Sequence, residues 1–152
     1  MIDGGLRKLF HSKLRGFHWQ TIESGLTGRG VPDSNFCGNG IEGWVEFKKT
    51  AVWAVGLRPE QIGWHLKRAR AGGRTFIAVR RIHEGGPRKG PPVDQLWIFP
   101  GRMAEELATT GIAEEHRNIP SVFMDDIKRI NWVKVQSYLM ATKNPEPKTP
   151  GQ

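Results

Sequence analysis

The chain predicts a mixed β-sheet flanked by helices, of the α/β (α+β) class. Two observations carry that reading: segments of helical and of strand periodicity alternate along the chain, and one strand is apolar on both faces at its start, as a strand covered from both sides would be. The order is helix, strand, strand, helix, strand, strand, then two helices. At 152 residues the chain has room for one domain with a sizeable core.

Leu6 to Arg15 places Leu6, Leu9, Phe10 and Leu14 at helical spacing, with basic residues elsewhere on the cylinder and Gly16 as its stop. Phe17 to Glu23 alternates, as a strand does, putting Phe17, Trp19, Thr21 and Glu23 on one face. Ser24 to Gly40 is rich in Gly, Ser, Asn and Asp and reads as mostly turn and loop. Gly43 to Lys49 is the next strand, and Ala51 to Val55 is expected to continue the sheet after a bend. Arg58-Pro59-Glu60 starts a helix, with proline at its first position, that runs to Ala71 and stops at Gly72-Gly73. Thr75 to Ile82 is the strand apolar on both faces. Glu84 to Pro92 reads as an exposed loop, Gln95 to Phe99 as a strand paired with Thr75 to Ile82. Helices follow over Arg102 to Thr110 and Asp125 to Met140. Residues 1–142 form the single domain, and the proline-containing tail 143–152 is expected to be disordered.

Charge narrows the partners. The 23 Lys and Arg exceed the 15 Asp and Glu, for a formal charge of +8. Such a field attracts polyanions, nucleic acid first and an acidic membrane surface second. No apolar run approaches the ~20 residues of a membrane span, and none follows the N-terminus as a signal would. A lone Cys37 excludes an internal disulfide and points to a reducing, cytoplasmic setting.

Chemistry concentrates around Trp44-Val45-Glu46-Phe47-Lys48. Period two sets Glu46 and Lys48 side by side on one face and buries Val45 and Phe47 on the other. Alone, such a pair reads more readily as a surface ion pair. Gly30-Val31-Pro32-Asp33 adds a second carboxylate, held by a preceding proline in a loop just before the strand. Two carboxylates brought together repel unless a cation lies between them, and oxygen ligands suit Mg²⁺ or Mn²⁺. No Cys cluster offers a zinc site. The histidines lack ligand spacing and each reads as structural or surface. The serines lack a nucleophile elbow, and Gly28-Arg29-Gly30 lacks the rest of a phosphate loop, so serine hydrolysis and ATP hydrolysis find no support.

These residues resemble the PD-(D/E)XK nuclease superfamily, in its Pro-Asp…Glu-X-Lys form. Arg58-Pro59-Glu60-Gln61-Ile62-Gly63-Trp64 is similar to the Gln-bearing helix of the VRR-NUC branch, and a Holliday-junction-resolvase-like, phage-type member is the nearest description. The resemblance spans Leu6 to Arg81. It implies a restriction-endonuclease-like core and Mg²⁺-dependent hydrolysis of DNA to 5′-phosphate and 3′-hydroxyl ends, in recombination or repair. By it, Asp33 and Glu46 ligate metal together with the carbonyl of Phe47, Lys48 positions the attacking water, and Gln61 lies close by. Many members supply a further acid from the first helix; this chain has none there, and Glu23, or less well Asp3, substitutes.

Arg29, Lys49, Arg58, Arg68, Arg88 and Lys89 are the candidate DNA contacts. Gln61, Trp64, His65 and Arg68 share a helix face, so Arg68 points towards a phosphate if Gln61 faces the metal; a core Trp64 and a solvated arginine face is the plain alternative. The resemblance to small Holliday-junction resolvases implies branched DNA as substrate and a homodimer as the acting species, with Asp125 to Met140 as its surface or as plain core. A non-catalytic DNA-binding protein on the same fold is the alternative function. It leaves the acids beside the phosphates unexplained.

Overall fold

A computed structural model describes residues 3–22, 29–113 and 122–141. Among the described residues the α-helices and strands are, in order, α1 (Leu6–Lys13), β1 (His18–Thr21), β2 (Ser34–Gly38), β3 (Ile41–Thr50), α2 (Pro59–Arg70), β4 (Thr75–His83), β5 (Val93–Pro100), α3 (Ala104–Thr110), β6 (Val122–Met124) and α4 (Trp132–Met140). The strands form one six-stranded sheet in the order β1-β2-β3-β4-β5-β6. Every neighbouring pair is antiparallel except β3 and β4, which run parallel. A parallel pair needs a crossover, and α2 supplies it. The mixed sheet flanked by helices is therefore as the sequence predicts.

Alternation along the strands divides the core in two. On one face Val45, Phe47, Phe76, Ala78, Leu96 and Ile98 pack against Leu6 and Phe10 of α1 and Val135 and Leu139 of α4. On the other, Ile77, Val79, Trp97 and Phe99 meet Ala104 and Leu107 of α3, with Ile62 of α2 packed against them. Phe47 is 2% exposed and meets the Phe10 ring edge-on at 5.1 Å. Its truncation to Ala would cost about 3–5 kcal/mol and loosen β3 between Glu46 and Lys48.

Several expectations need correction. Ser24 to Gly40 is not all loop, because Ser34–Gly38 is a strand of the sheet. Its apolar signal is one residue, Phe36, buried between polar neighbours, and its pairing with β3 across the Asn39-Gly40 turn supplies what periodicity lacks. Ala51 to Val55 does not extend the sheet: β3 ends at Thr50, whose hydroxyl bonds the backbone of Val52 and Ala54 and turns the chain away. The last helix starts at Trp132 rather than Asp125, capped by the Asn131 side chain on the Lys134 N–H at 3.1 Å. Before it come β6 and a 3₁₀ turn at Ile127–Arg129. The first helix ends at Lys13, ahead of Gly16. Glu23 and the tail 143–152 lie outside the described residues. Among those described, no helix is long and apolar enough to cross a membrane.

Candidate active site

Three elements meet where β2 begins. The register Ser34↔Val45 sets Asp33 opposite Glu46, just beyond the paired part of β2. One Asp33 carboxylate oxygen accepts the backbone N–H of Phe47 at 2.8 Å. The N–H and C=O of one strand residue leave the same edge of the strand. The Phe47 carbonyl therefore also faces the Asp33 side, off the β4 ladder.

Gly30 explains how the loop reaches this place. Its φ is +87°, and a Cβ there would lie 2.1 Å from the carbonyl oxygen of Glu60. The backbone of the Gly-Val-Pro-Asp segment thus lies against the first turn of α2, as only glycine permits. Gln61, in that turn, faces inward and is 4% exposed. Its Nε2 donates to Glu46 Oε1 at 3.0 Å, while its Oε1 accepts from Lys48 Nζ at 3.1 Å and from the Arg58 N–H at 3.0 Å. The last bond is half of a capping box. One amide therefore caps the helix and grips both strand side chains.

Glu46 and Lys48 share the α2 face of β3, with Lys48 Nζ 3.5 Å from Glu46 Oε1. Glu46 is 2% exposed, and its second oxygen, Oε2, is buried without a hydrogen-bond partner. Burial pushes this carboxyl up to about 8; the Asp33 charge adds to the rise, and Lys48 offsets part of it. A buried carboxylate carrying an unshared oxygen beside a second carboxylate is costly as it stands. It is relieved by a proton, or by a hard cation taken up between the two acids. The donor set, two carboxylates with a main-chain carbonyl on the same edge, fits Mg²⁺ or Mn²⁺.

Among the described residues no three His, Cys, Asp or Glu side chains are gathered as a metal-holding group. Asp3 accepts the Gly5 N–H at 2.8 Å in the turn that opens α1. Glu23, the other substitute acid, lies outside the described residues.

His65, which reads from sequence as structural or surface, supports the site from below. One turn after Gln61, it is fully buried, with Nδ1 2.7 Å from Thr75 Oγ1 and Nε2 lacking a partner. Burial first, and the charge of Lys48 second, hold its imidazole down to about 4, so it stays neutral. The shared helix face gave the signal: Gln61 and His65 are both buried on it.

The basic candidates are dispersed. Arg58 stands at the entry of α2, its side chain 64% exposed and 3.8 Å from Glu60. Arg29 is exposed next to Gly30, and Arg88 and Lys89 are exposed in the β4–β5 connection. Lys49 lies on the face of β3 opposite Glu46 and Lys48. Arg68 does not reach the acids. It lies over the rings of Trp64 and Trp44, at 4.7 and 5.6 Å from their centroids, towards the start of β3.

No family model matches the chain, and neither does any curated protein. Among solved structures it is similar to Hjc, a Holliday junction resolvase from the archaeal hyperthermophile Archaeoglobus fulgidus. The TM-score is 0.46 and the identity 18%, over 74% of this chain and 88% of that one. A likeness of that size bears on no residue of the site.

Proposed function

We propose that the chain is a divalent-metal-dependent endonuclease that hydrolyses DNA phosphodiester bonds, with branched DNA as its substrate. One observation carries the reading: the buried, unpartnered Oε2 of Glu46 beside Asp33, with Lys48 and Gln61 bonded to the same group. A DNA-binding protein without catalysis has no use for two acids aimed at a polyanion, since they repel phosphate. The resemblance of Gly30-Val31-Pro32-Asp33 and Glu46-Phe47-Lys48 to the PD-(D/E)XK signature supports the same chemistry, and its resolvase-like branch puts branched DNA and a homodimer first.

Asp33, Glu46 and the Phe47 carbonyl would hold Mg²⁺ or Mn²⁺. Bound there, the ion supplies Lewis-acid polarisation of the scissile phosphate. Lys48 orients the attacking water through Nζ and offsets the negative charge that gathers on phosphorus. Gln61 keeps Lys48 and Glu46 in register, so that the ammonium group is aimed before substrate arrives. His65, neutral and buried, adds no second positive charge beneath Lys48. Arg29, Arg58, Arg88 and Lys89, all exposed, are available to the phosphate backbone.

Incubation of the protein with labelled linear, flapped and four-way DNA, with Mg²⁺ or with EDTA, tests this. Cutting that needs Mg²⁺, favours the four-way or flapped DNA, and disappears in Asp33→Ala and Glu46→Ala while binding persists is expected. Unchanged cutting in either variant would remove these acids from the mechanism. Binding without cutting at any metal concentration would favour the non-catalytic reading.

A further inference from the structure

We propose that Val52 and Trp53 form a platform that takes an unstacked nucleobase of the DNA strand being cut. The inference rests on the nuclease reading above and adds a base contact to it. Val52 is 57% and Trp53 43% exposed, two adjacent large apolar side chains in the segment that leaves β3. Folding gains little from displaying them so.

Their position links them to the site. Glu46, Lys48 and Thr50 alternate onto one face of β3, and Thr50 pairs with Arg81 of β4. The Arg81 guanidinium lies 3.6 Å from the centroid of the Trp53 ring. Trp53 therefore stands over the same sheet face as Glu46 and Lys48, held against Arg81, the β4 partner of Thr50, which follows Lys48 by about 7 Å along the strand.

The backbone that carries the platform is tied down. Thr50 Oγ1 donates to the Ala54 carbonyl at 2.8 Å and accepts the Val52 N–H at 3.2 Å. The Trp53 carbonyl accepts the Ile112 N–H at 2.8 Å, and a Cβ on Gly111 would come within 2.5 Å of that carbonyl oxygen. Beneath the ring, Arg81 is 7% exposed and bonds Gln95 Oε1 at 3.2 Å, an oxygen that also accepts from Trp97 Nε1. An indole fixed in place, backed by a cation and partly open to solvent, suits stacking on a base within a negatively charged strand. Two side chains are too small a patch for a stable protein interface, which buries roughly 1,200 Å² or more.

Photocrosslinking tests the contact without altering the protein. Four-way DNA carrying a single 5-iodouracil at each position around the cut, bound in EDTA and irradiated, should crosslink to Trp53 from one or two positions beside the cut phosphate. The tryptic peptide from Thr50 to Lys67 contains both Trp53 and Trp64, and fragment ions separate them. Trp53→Ala should weaken binding about 10-fold with an unchanged salt slope, and Trp53→Phe should retain most of the affinity. Val52→Ser, at a more exposed position, should weaken it less.

Crosslinks that avoid Trp53, or Trp53→Ala binding like the wild type while the wild type cuts normally, would overturn the platform and leave the nuclease reading intact. So would a dimer that Val52→Ser splits in sedimentation, which would give the patch to a second copy of the chain. A wild-type protein that neither binds nor cuts DNA would overturn both.

Discussion

The side-chain amide of Gln61 spans Glu46 and Lys48, donating to the carboxylate at 3.0 Å and accepting from the ammonium group at 3.1 Å. The two strand residues owe their relative placement to a helix that follows them in sequence. Gln61→Leu keeps the bulk and deletes both bonds, along with the one that Gln61 accepts from the Arg58 N–H. Loss of such a supporting contact typically costs 10–100-fold in activity or metal affinity, and that range is expected for the cleavage rate. Stability should fall by about 1–3 kcal/mol, because Glu46 loses its donor. Cleavage within two-fold of wild type would show that Gln61 merely caps α2.

Gly30→Ala tests the loop. The added methyl meets the Glu60 carbonyl oxygen and sits at a φ of +87°, which alone costs about 1–2 kcal/mol. Relief requires the loop to leave α2, carrying Asp33 away from Glu46 and the Phe47 N–H. Urea melts should show the destabilisation, and cleavage should fall further than the unfolded fraction explains. A loss of activity equal to that fraction would mean that Asp33 stays in place.

Stability of the metal-free protein should depend on pH through Glu46. Its folded value of about 8 lies above the ordinary 4.5, so the folded state keeps a proton that the unfolded chain has released. That contribution is full below about 4.5 and is lost as pH rises through 8. His65 acts oppositely: held at about 4 against 6.5, its contribution is present above 6.5 and lost on acidification. The two oppose each other from 4.5 to 6.5, while between 6.5 and 8 Glu46 acts without His65. The melting temperature in EDTA should decline across that upper window, and Glu46→Gln should flatten it. A slope that survives the substitution would assign it elsewhere.

Metal uptake requires the Glu46 carboxylate and so releases its proton. Mg²⁺ or Mn²⁺ should raise the melting temperature more at pH 8.5 than at pH 6.5. At 100-fold over Kd the gain is about 5–10 °C for a chain of this size. Asp33→Asn and Glu46→Gln should abolish it, and a gain that persists in both would locate the ion outside this pair.

Arg88 and Lys89, exposed between β4 and β5, are tested by salt. If both meet phosphates, the double alanine variant should lower the slope of log K against log salt by about 1.8, at about 0.9 per lost contact. An unchanged slope would make this loop a plain connection.

The sheet class, the helix that became α2, the β4–β5 pairing and the face shared by Glu46 and Lys48 were legible in the sequence. Each follows from periodicity or from a local stop signal, which act over a few residues. The rest follows from packing between distant segments. Ser34–Gly38 is a strand because it pairs with β3, and Arg68 turns to Trp44 and Trp64 because those rings lie within its reach. The motif leads one to expect Asp33 beside Glu46, but the means was hidden: a bare Gly30 lets one loop lie on a helix thirty residues later in the chain. Such contacts depend on which surfaces the folded backbone brings together, and no local pattern records that.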